Sequence, residues 1–406
     1  MLLAFLFVAG PGLIVMTADN DSGAVSTYCQ AGALHGGHLL WLLLFLLPVT
    51  YFCQEMVVRL GIVTGEGHAA MIYKRFGRWW GNFSLLDLLL VNFMTMVTEF
   101  AMVDQLARAA GLDPRVAVVG SAVLLLYLVG GGGYRRWERL AVGLCALQLA
   151  WFWITWRTCP PAAQIAQQAF VAPAWTGSTI FLAIAIVGTT VAPWQLFFQQ
   201  ACVADKRLLL KDLVPERADT FLSAIFTIVS AAVMLLAGWA LTRTGRPWTD
   251  VGGMANDLGA VYGPAVRWLL LGLCFDACLL GATAVSLASA WAWGEVQGWP
   301  HSLEAHWSEA PGFYGVYLAC VGAAAGLVLI PGAPLQLIII GVQVLAAIML
   351  PPALVFLLLL LCDREVMGRQ VNERWRTWVY GSIIGAMFGL SAVLGVQAVR
   401  PGWFPQ

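Results

Sequence analysis

Long apolar runs alternate with short polar connectors along the whole chain, and most runs reach the roughly 20 residues that an α-helix needs to cross a bilayer. They predict about eleven spanning helices, at 2–34, 38–60, 83–108, 115–131, 137–157, 177–201, 219–242, 262–293, 312–331, 334–362 and 375–398. Gly130-Gly-Gly-Gly133 reads as a tight turn between the fourth and fifth. Two runs are interrupted. The first carries Thr17-Ala-Asp-Asn-Asp-Ser-Gly-Ala24, with its break at 18–23, and the sixth carries Gly188-Thr-Thr-Val-Ala-Pro-Trp194, broken at 189–193.

A carboxylate at mid-membrane depth costs several kcal/mol, and broken backbone is tolerated there only where it faces protein or a water-filled cavity. Each interruption also opens a set of five helices, and an odd number per set forces the second set to be inverted. Matching interruptions in two inverted halves mark a transporter site near the midplane. The expected fold is therefore an all-α integral membrane bundle of the LeuT type, a 5+5 inverted repeat with helices 1 and 6 broken. Its first repeat is 1–157, its second 177–362, and 375–398 is an additional eleventh helix.

At the first break, the carbonyls of Thr17 and Ala18 lose their helical partners and carry the negative end of the half-helix dipole. Asp21 adds a formal charge beside them, and Asp19 and Asn20 are further candidates, although a three-residue polar run cannot point entirely one way. At the second break Pro193 has no N–H to give to the carbonyl near Thr189, and the hydroxyls of Thr189 and Thr190 lie alongside. The bland alternative is back-bonded hydroxyls and a packing kink. Two breaks in corresponding places favour a site over that alternative, and all of its donors are oxygens. Such a set suits hard cations such as Mg²⁺, Ca²⁺ or Mn²⁺, since soft metals call for sulfur or imidazole.

Composition agrees: 60% of the 406 residues are hydrophobic and 11% charged, far from a soluble domain. The formal net charge of zero argues against a nucleic-acid partner. Nine cysteines without a CxxC pair read as packing residues rather than disulfides or zinc ligands, and the five histidines all fall in connecting segments. No nucleophile–base arrangement or phosphate loop is present, so no enzymatic activity and no cofactor are expected. The partners are the ion and the lipid bilayer. The first run lacks a basic n-region and reads as half a span rather than a signal peptide. With a cytoplasmic N-terminus, about two-thirds of the 22 Lys and Arg fall in inner loops, which predicts a multi-pass protein with its N-terminus on the cytoplasmic side.

At these residues the chain resembles the natural resistance-associated macrophage protein (Nramp) family of divalent-metal transporters. Asp21-Ser-Gly-Ala24 is similar to the family's Asp-Pro-Gly-Asn, and Gly10-Pro-Gly12, Arg59-Leu-Gly-Ile-Val-Thr-Gly65, Gln343 and Leu350-Pro-Pro352 are similar to further family patterns. The departures carry as much information. Ala24 replaces an asparagine, Ala192 the methionine that favours transition metals, and Trp194 a histidine. Met96-Val-Thr-Glu99 keeps a glutamate but not the aspartate that precedes it in proton-coupled members. This set resembles the Nramp-related magnesium transporter branch of prokaryotes, and the resemblance implies Mg²⁺ transport, Mn²⁺ as a second substrate and no proton coupling. Gln343 either reaches the ion or is a packing amide, Glu99 and Asp276 either line a pathway or pair with a neighbouring helix, and Glu55 with Arg59 reads as a local ion pair. Trp79, Trp80 and Trp137 fit an interfacial belt. Two alternatives stay open: a proton-coupled Mn²⁺/Fe²⁺ importer and, less favoured because of the extra acids, a cation-coupled amino-acid carrier of the same fold.

Overall fold

The computed structural model describes residues 11–130 and 134–399. The start of the first span at 2–10, Gly10 of its opening motif, most of the Gly130–Gly133 turn and Arg400 lie outside the described residues.

The described chain is helical. Its elements are α1 (Pro11–Ala18), α2 (Ser22–His35), α3 (Leu40–Thr64), α4 (His68–Ala110), α5 (Pro114–Gly130), α6 (Tyr134–Leu147), α7 (Ala150–Thr158), α8 (Ala162–Gln168), α9 (Gly177–Thr190), α10 (Pro193–Asp205), α11 (Leu213–Trp239), α12 (Val251–Tyr262), α13 (Pro264–Gln297), α14 (Pro311–Val328), α15 (Leu335–Cys362), α16 (Arg364–Met367) and α17 (Arg374–Val399). Among the described residues, nine helices are long and apolar enough to cross a membrane, and Pro114–Val129 is a shorter apolar one. With the α1–α2 pair they account for the spans that the apolar runs predict.

Three boundaries differ. The third span extends back to His68 through a joint at Gly77, whose φ of 83° a side-chain-bearing residue rarely adopts. The fifth is divided between α6 and α7. The eighth begins at Pro264, because Asp250 starts a separate helix, α12, by accepting a hydrogen bond from Gly253 N at 2.8 Å.

Helices 1 and 6 are seated by glycine contacts. A Cβ at Gly238 of α11 would lie 2.6 Å from Cys29 Cα of α2, and one at Gly188 of α9 would lie 2.7 Å from Ala347 N of α15. Only glycine lets these backbones touch, so the half-helix on one side of each break is clamped to a continuous neighbour. The halves on the other side, α1 and α10, lead to the end of the bundle where Arg59, Lys206, Arg217 and Arg376 gather, here the basic end.

At that end Glu55 is more than half of a local pair. Its Oε1 takes Arg59 Nε at 3.3 Å, Arg217 at 2.6 Å and Arg376 at 3.7 Å, and its Oε2 accepts from Tyr380 OH at 2.6 Å. Two further expectations are corrected. Trp137 is buried and packs on Phe198 with ring centroids 6.0 Å apart, whereas Trp79 and Trp80 are exposed as a belt requires. His68 is not in a connector: it opens α4, is buried, and its Nδ1 lies 3.2 Å from Gln200 Oε1.

Candidate functional site

The first break follows from where its backbone groups go. Asp19 N still donates to Val15 O, and Asn20 N to Thr17 O, at 2.9 and 3.0 Å. Ser22 N does not continue the ladder to Ala18 O; it donates to Glu99 Oε2 on α4 at 3.2 Å, which frees the Ala18 carbonyl. Asp21 has extended backbone at φ −69°, ψ −174° and caps α2, its Oδ1 accepting from Ala24 N at 2.9 Å. The N-terminus of α2 therefore holds two carboxylates, a placement that its dipole favours by about 0.3–1 kcal/mol each.

The second break sits at Val191 and Ala192, both non-helical and the latter extended, with Pro193 as the first residue of α10. The two threonines divide. Thr190 is back-bonded to Ile186 O at 2.6 Å and also meets Tyr28 OH at 2.7 Å, whereas Thr189 Oγ1 is buried without a hydrogen-bond partner. Thr190 thus ties α9 to α2, and Thr189 keeps its oxygen for the site.

Gln343 of α15 reaches the first break directly. A Cβ at Gly23 would overlap its side-chain amide, and its Nε2 has no partner. Gly281 of α13 closes another side, since a Cβ there would lie 2.6 Å from both Asp21 Cβ and Glu99 Oε1. Asp21, Glu99, Gln343, Asn20 and Thr189 are all buried, and the unpartnered atoms among them are Glu99 Oε1, Gln343 Nε2, both side-chain atoms of Asn20 and Thr189 Oγ1. Such a concentration of unmet polar atoms in a bundle interior is what a cation or its water shell would satisfy.

Asp19 has different company. One carboxylate oxygen accepts from Gln195 Nε2 of α10, and Gln195 Oε1 in turn accepts from Gln54 Nε2 of α3 at 3.1 Å. The residue links the two breaks across the site, and its Oδ2 stays unpartnered. Asp276 pairs with a neighbouring helix, accepting from Gln148 Nε2 at 2.7 Å.

The three departure positions are buried beside the two breaks in sequence. Ala24 and Ala192 are buried, and Trp194 packs edge-on to Phe198 at 6.0 Å. Met96, one turn before Glu99 on α4, is buried as well. Sequence reasoning passed over two contributors, Gln195 and Gly281, and read Cys278, a buried thiol one turn before Gly281 on the same helix, as a packing residue. A polar residue two places after the helix-six proline was the available signal for Gln195.

At the end of the bundle opposite the basic one, Gln336 Nε2 donates to Ser26 Oγ at 2.9 Å and Gln30 Oε1 at 3.0 Å, and Gln105 donates to Gln336 Oε1 at 3.2 Å. These bonds hold α2 against α15 and α4 and close that side of the site.

Residues 12–397 match the family described as natural resistance-associated macrophage protein-like. The divalent metal cation transporter MntH 1 of Pseudomonas aeruginosa is 28% identical to the chain over 407 residues, covering 96% of the chain and 91% of the relative. A crystal structure of the Eremococcus coleocola manganese transporter superposes with a TM-score of 0.76 at 19% identity, over 96% of this chain and 86% of that one. The structure of MhsT in complex with L-phenylalanine gives a TM-score of 0.61 at 12% identity, over 94% and 98%. The overall architecture is thus the LeuT-type fold with helices 1 and 6 broken.

Proposed function

Since the chain belongs to the natural resistance-associated macrophage protein-like family, we propose that it is a multi-pass divalent-metal transporter that moves Mg²⁺, and Mn²⁺ as a second substrate, by alternating access and without proton coupling. The observation that carries the substrate is the donor set at the two breaks. It consists of carboxylate, amide, hydroxyl and carbonyl groups, while Ala192 and Trp194 stand where a thioether and an imidazole would select softer ions. Mg²⁺ dehydrates reluctantly, and small side chains at 24 and 192 leave room for water to stay on it. Asp21 supplies the principal charge. Thr189, Gln343, Asn20 and the Ala18 carbonyl supply direct or water-mediated oxygens, and Asp19 and Thr190 join the breaks rather than the ion. The absence of an aspartate at Met96 and of a histidine at Trp194 removes proton acceptors beside the site. The excess of Lys and Arg at the basic end supports a cytoplasmic position for that end, in a prokaryotic cytoplasmic membrane with the N-terminus on the cytoplasmic side.

The test is uptake into proteoliposomes carrying a pH dye. Mg²⁺ and Mn²⁺ should both enter under an inside-negative potential, which contributes about 2.3 kcal/mol per charge per 100 mV, with no acidification of the lumen. A second reading, the proton-coupled Mn²⁺/Fe²⁺ importer, draws on Glu99 at the α2 terminus and on the Cys278 thiol. Exclusion of Mg²⁺ together with Mn²⁺-driven acidification would establish it instead.

Reintroducing sulfur gives a separate check. Ala192→Met should strengthen Cd²⁺ competition against Mn²⁺ uptake by roughly tenfold, the scale of single changes around a metal site, and depress Mg²⁺ uptake. Unchanged Cd²⁺ competition would mean that position 192 does not face the ion.

A further inference from the structure

In α11, Glu216, Asp219, Thr220, Ser223, Thr227 and Ser230 recur at the three- and four-residue spacing of one helical face, and all six are buried. The remaining polar residue of the helix, Arg217, points away to Glu55. In an otherwise apolar helix part of this stripe faces helix 1. Gly12 N of α1 donates to Asp219 Oδ2 at 3.0 Å, a Cβ on Gly12 would lie 3.4 Å from Ser223 Oγ, and further along Cys29 Sγ of α2 meets Met234 O at 3.4 Å. The stripe therefore runs beside helix 1 at Asp219 and Ser223.

Its basic end is where the polar atoms are least satisfied. Glu216 is 0% exposed, and neither carboxylate oxygen has a hydrogen-bond partner or a salt bridge. Lys206 forms its salt bridge with Glu138 at 3.1 Å while its charge still reaches Glu216, and Arg217 forms its salt bridge with Glu55 at 2.6 Å. From another helix, α10, Gln199 donates through Nε2 to Thr220 Oγ1 at 3.3 Å and leaves its buried Oε1 without a partner. Thr220 itself donates to the Glu216 carbonyl at 2.9 Å, so Gln199 comes in beside Glu216. A bare carboxylate at full burial costs several kcal/mol, and a second carboxylate three residues away on the same face adds repulsion.

We propose that Glu216, with Asp219 and the Gln199 amide oxygen, forms a second divalent-cation station, below the first on the side of the basic end, at which the transported ion rests between the helix breaks and the cytoplasm. The assignment rests on the transport reading above. A divalent ion supplies the partner that both Glu216 oxygens lack and takes oxygen ligands of this kind.

Counting bound Mn²⁺ by electron paramagnetic resonance on the full chain in detergent tests it. The wild type should bind two ions per chain, Glu216→Gln one, Asp21→Asn one, and the double variant none. If Glu216→Gln binds as many ions as the wild type, the station is overturned. A wild type that binds a single ion, lost in Asp21→Asn, also overturns it while leaving the first site standing. If Asp21→Asn changes nothing and Glu216→Gln removes an ion, it is the first site that fails. Should Glu216→Gln not fold, Gln199→Leu must weaken one of the two ions by about tenfold, and two unchanged ions overturn the proposal.

Discussion

Asp21→Ala is expected to lower Mg²⁺ uptake into proteoliposomes by more than about 100-fold, beyond the 10–100-fold typical of residues one layer out from a metal. The residue has two tasks, and a second variant separates them. Its Oδ1 caps α2 through Ala24 N at 2.9 Å, and losing a cap costs about 1 kcal/mol. Its charge is the main attraction for a divalent ion. Asp21→Asn keeps an oxygen for the cap and gives up the charge, so it should retain the stability of the wild type and share the transport loss of alanine. Normal transport by Asp21→Asn would show that the cap matters and the charge does not.

The loss should be larger than for any neighbour because of how the other donors are held. Glu99 is tied to Ser22 N by one oxygen, Thr190 is consumed by Ile186 O and Tyr28, and Asp19 is engaged by Gln195. Each of these shapes the break. Asp21 both shapes it and carries the charge that the Ala18 carbonyl, Thr189 and Gln343 lack.

The bundle was legible in the chain because hydrocarbon admits few solutions: each long apolar run must be a helix, and each polar interruption at depth must face protein or water. The break positions were legible for the same reason, from Asp19-Asn20-Asp21 and Pro193. What the pattern did not contain was direction. Nothing in Asp19-Asn20-Asp21 distinguishes the acid that caps a helix from the one that reaches Gln195, because that choice is made by residues more than 170 positions away. His68 and Trp137 were misplaced on similar grounds, since their location near a helix end predicts an interface only until Gln200 and Phe198 pack against them. The separate helix α12 fell in the connector between 242 and 262, because 12 residues are too few to cross a bilayer, and Gly263, where φ is 101°, divides it from α13. Glu55 and Arg59 at four-residue spacing showed a pair, and only the tertiary fold adds Arg217, Arg376 and Tyr380 to it.

That last group sets the other large effect. Glu55→Ala should destabilise the folded bundle by about 3–5 kcal/mol, as removal of one partner from a buried ion pair does, because the charges left behind have no alternative. Arg59 is 0% exposed, and it also donates to Gln370 O at 3.0 Å and to Asn372 Oδ1 at 2.6 Å, so it cannot swing out to water without breaking the segment that leads into α17. Arg217 and Arg376 would then face it across the space that Glu55 filled. The contrast is Arg246 and Asp257, paired at 2.6 Å but with the arginine side chain 64% exposed, where a solvated pair contributes about 0–1 kcal/mol. Thermal unfolding in detergent should therefore show a clear drop in apparent Tm for Glu55→Ala and almost none for Arg246→Ala. Glu55→Gln, which keeps acceptors for Tyr380 and the guanidinium groups but no charge, should fall between them. If Glu55→Ala melts where Arg246→Ala does, α17 is not fastened to α3 and α11 by this carboxylate.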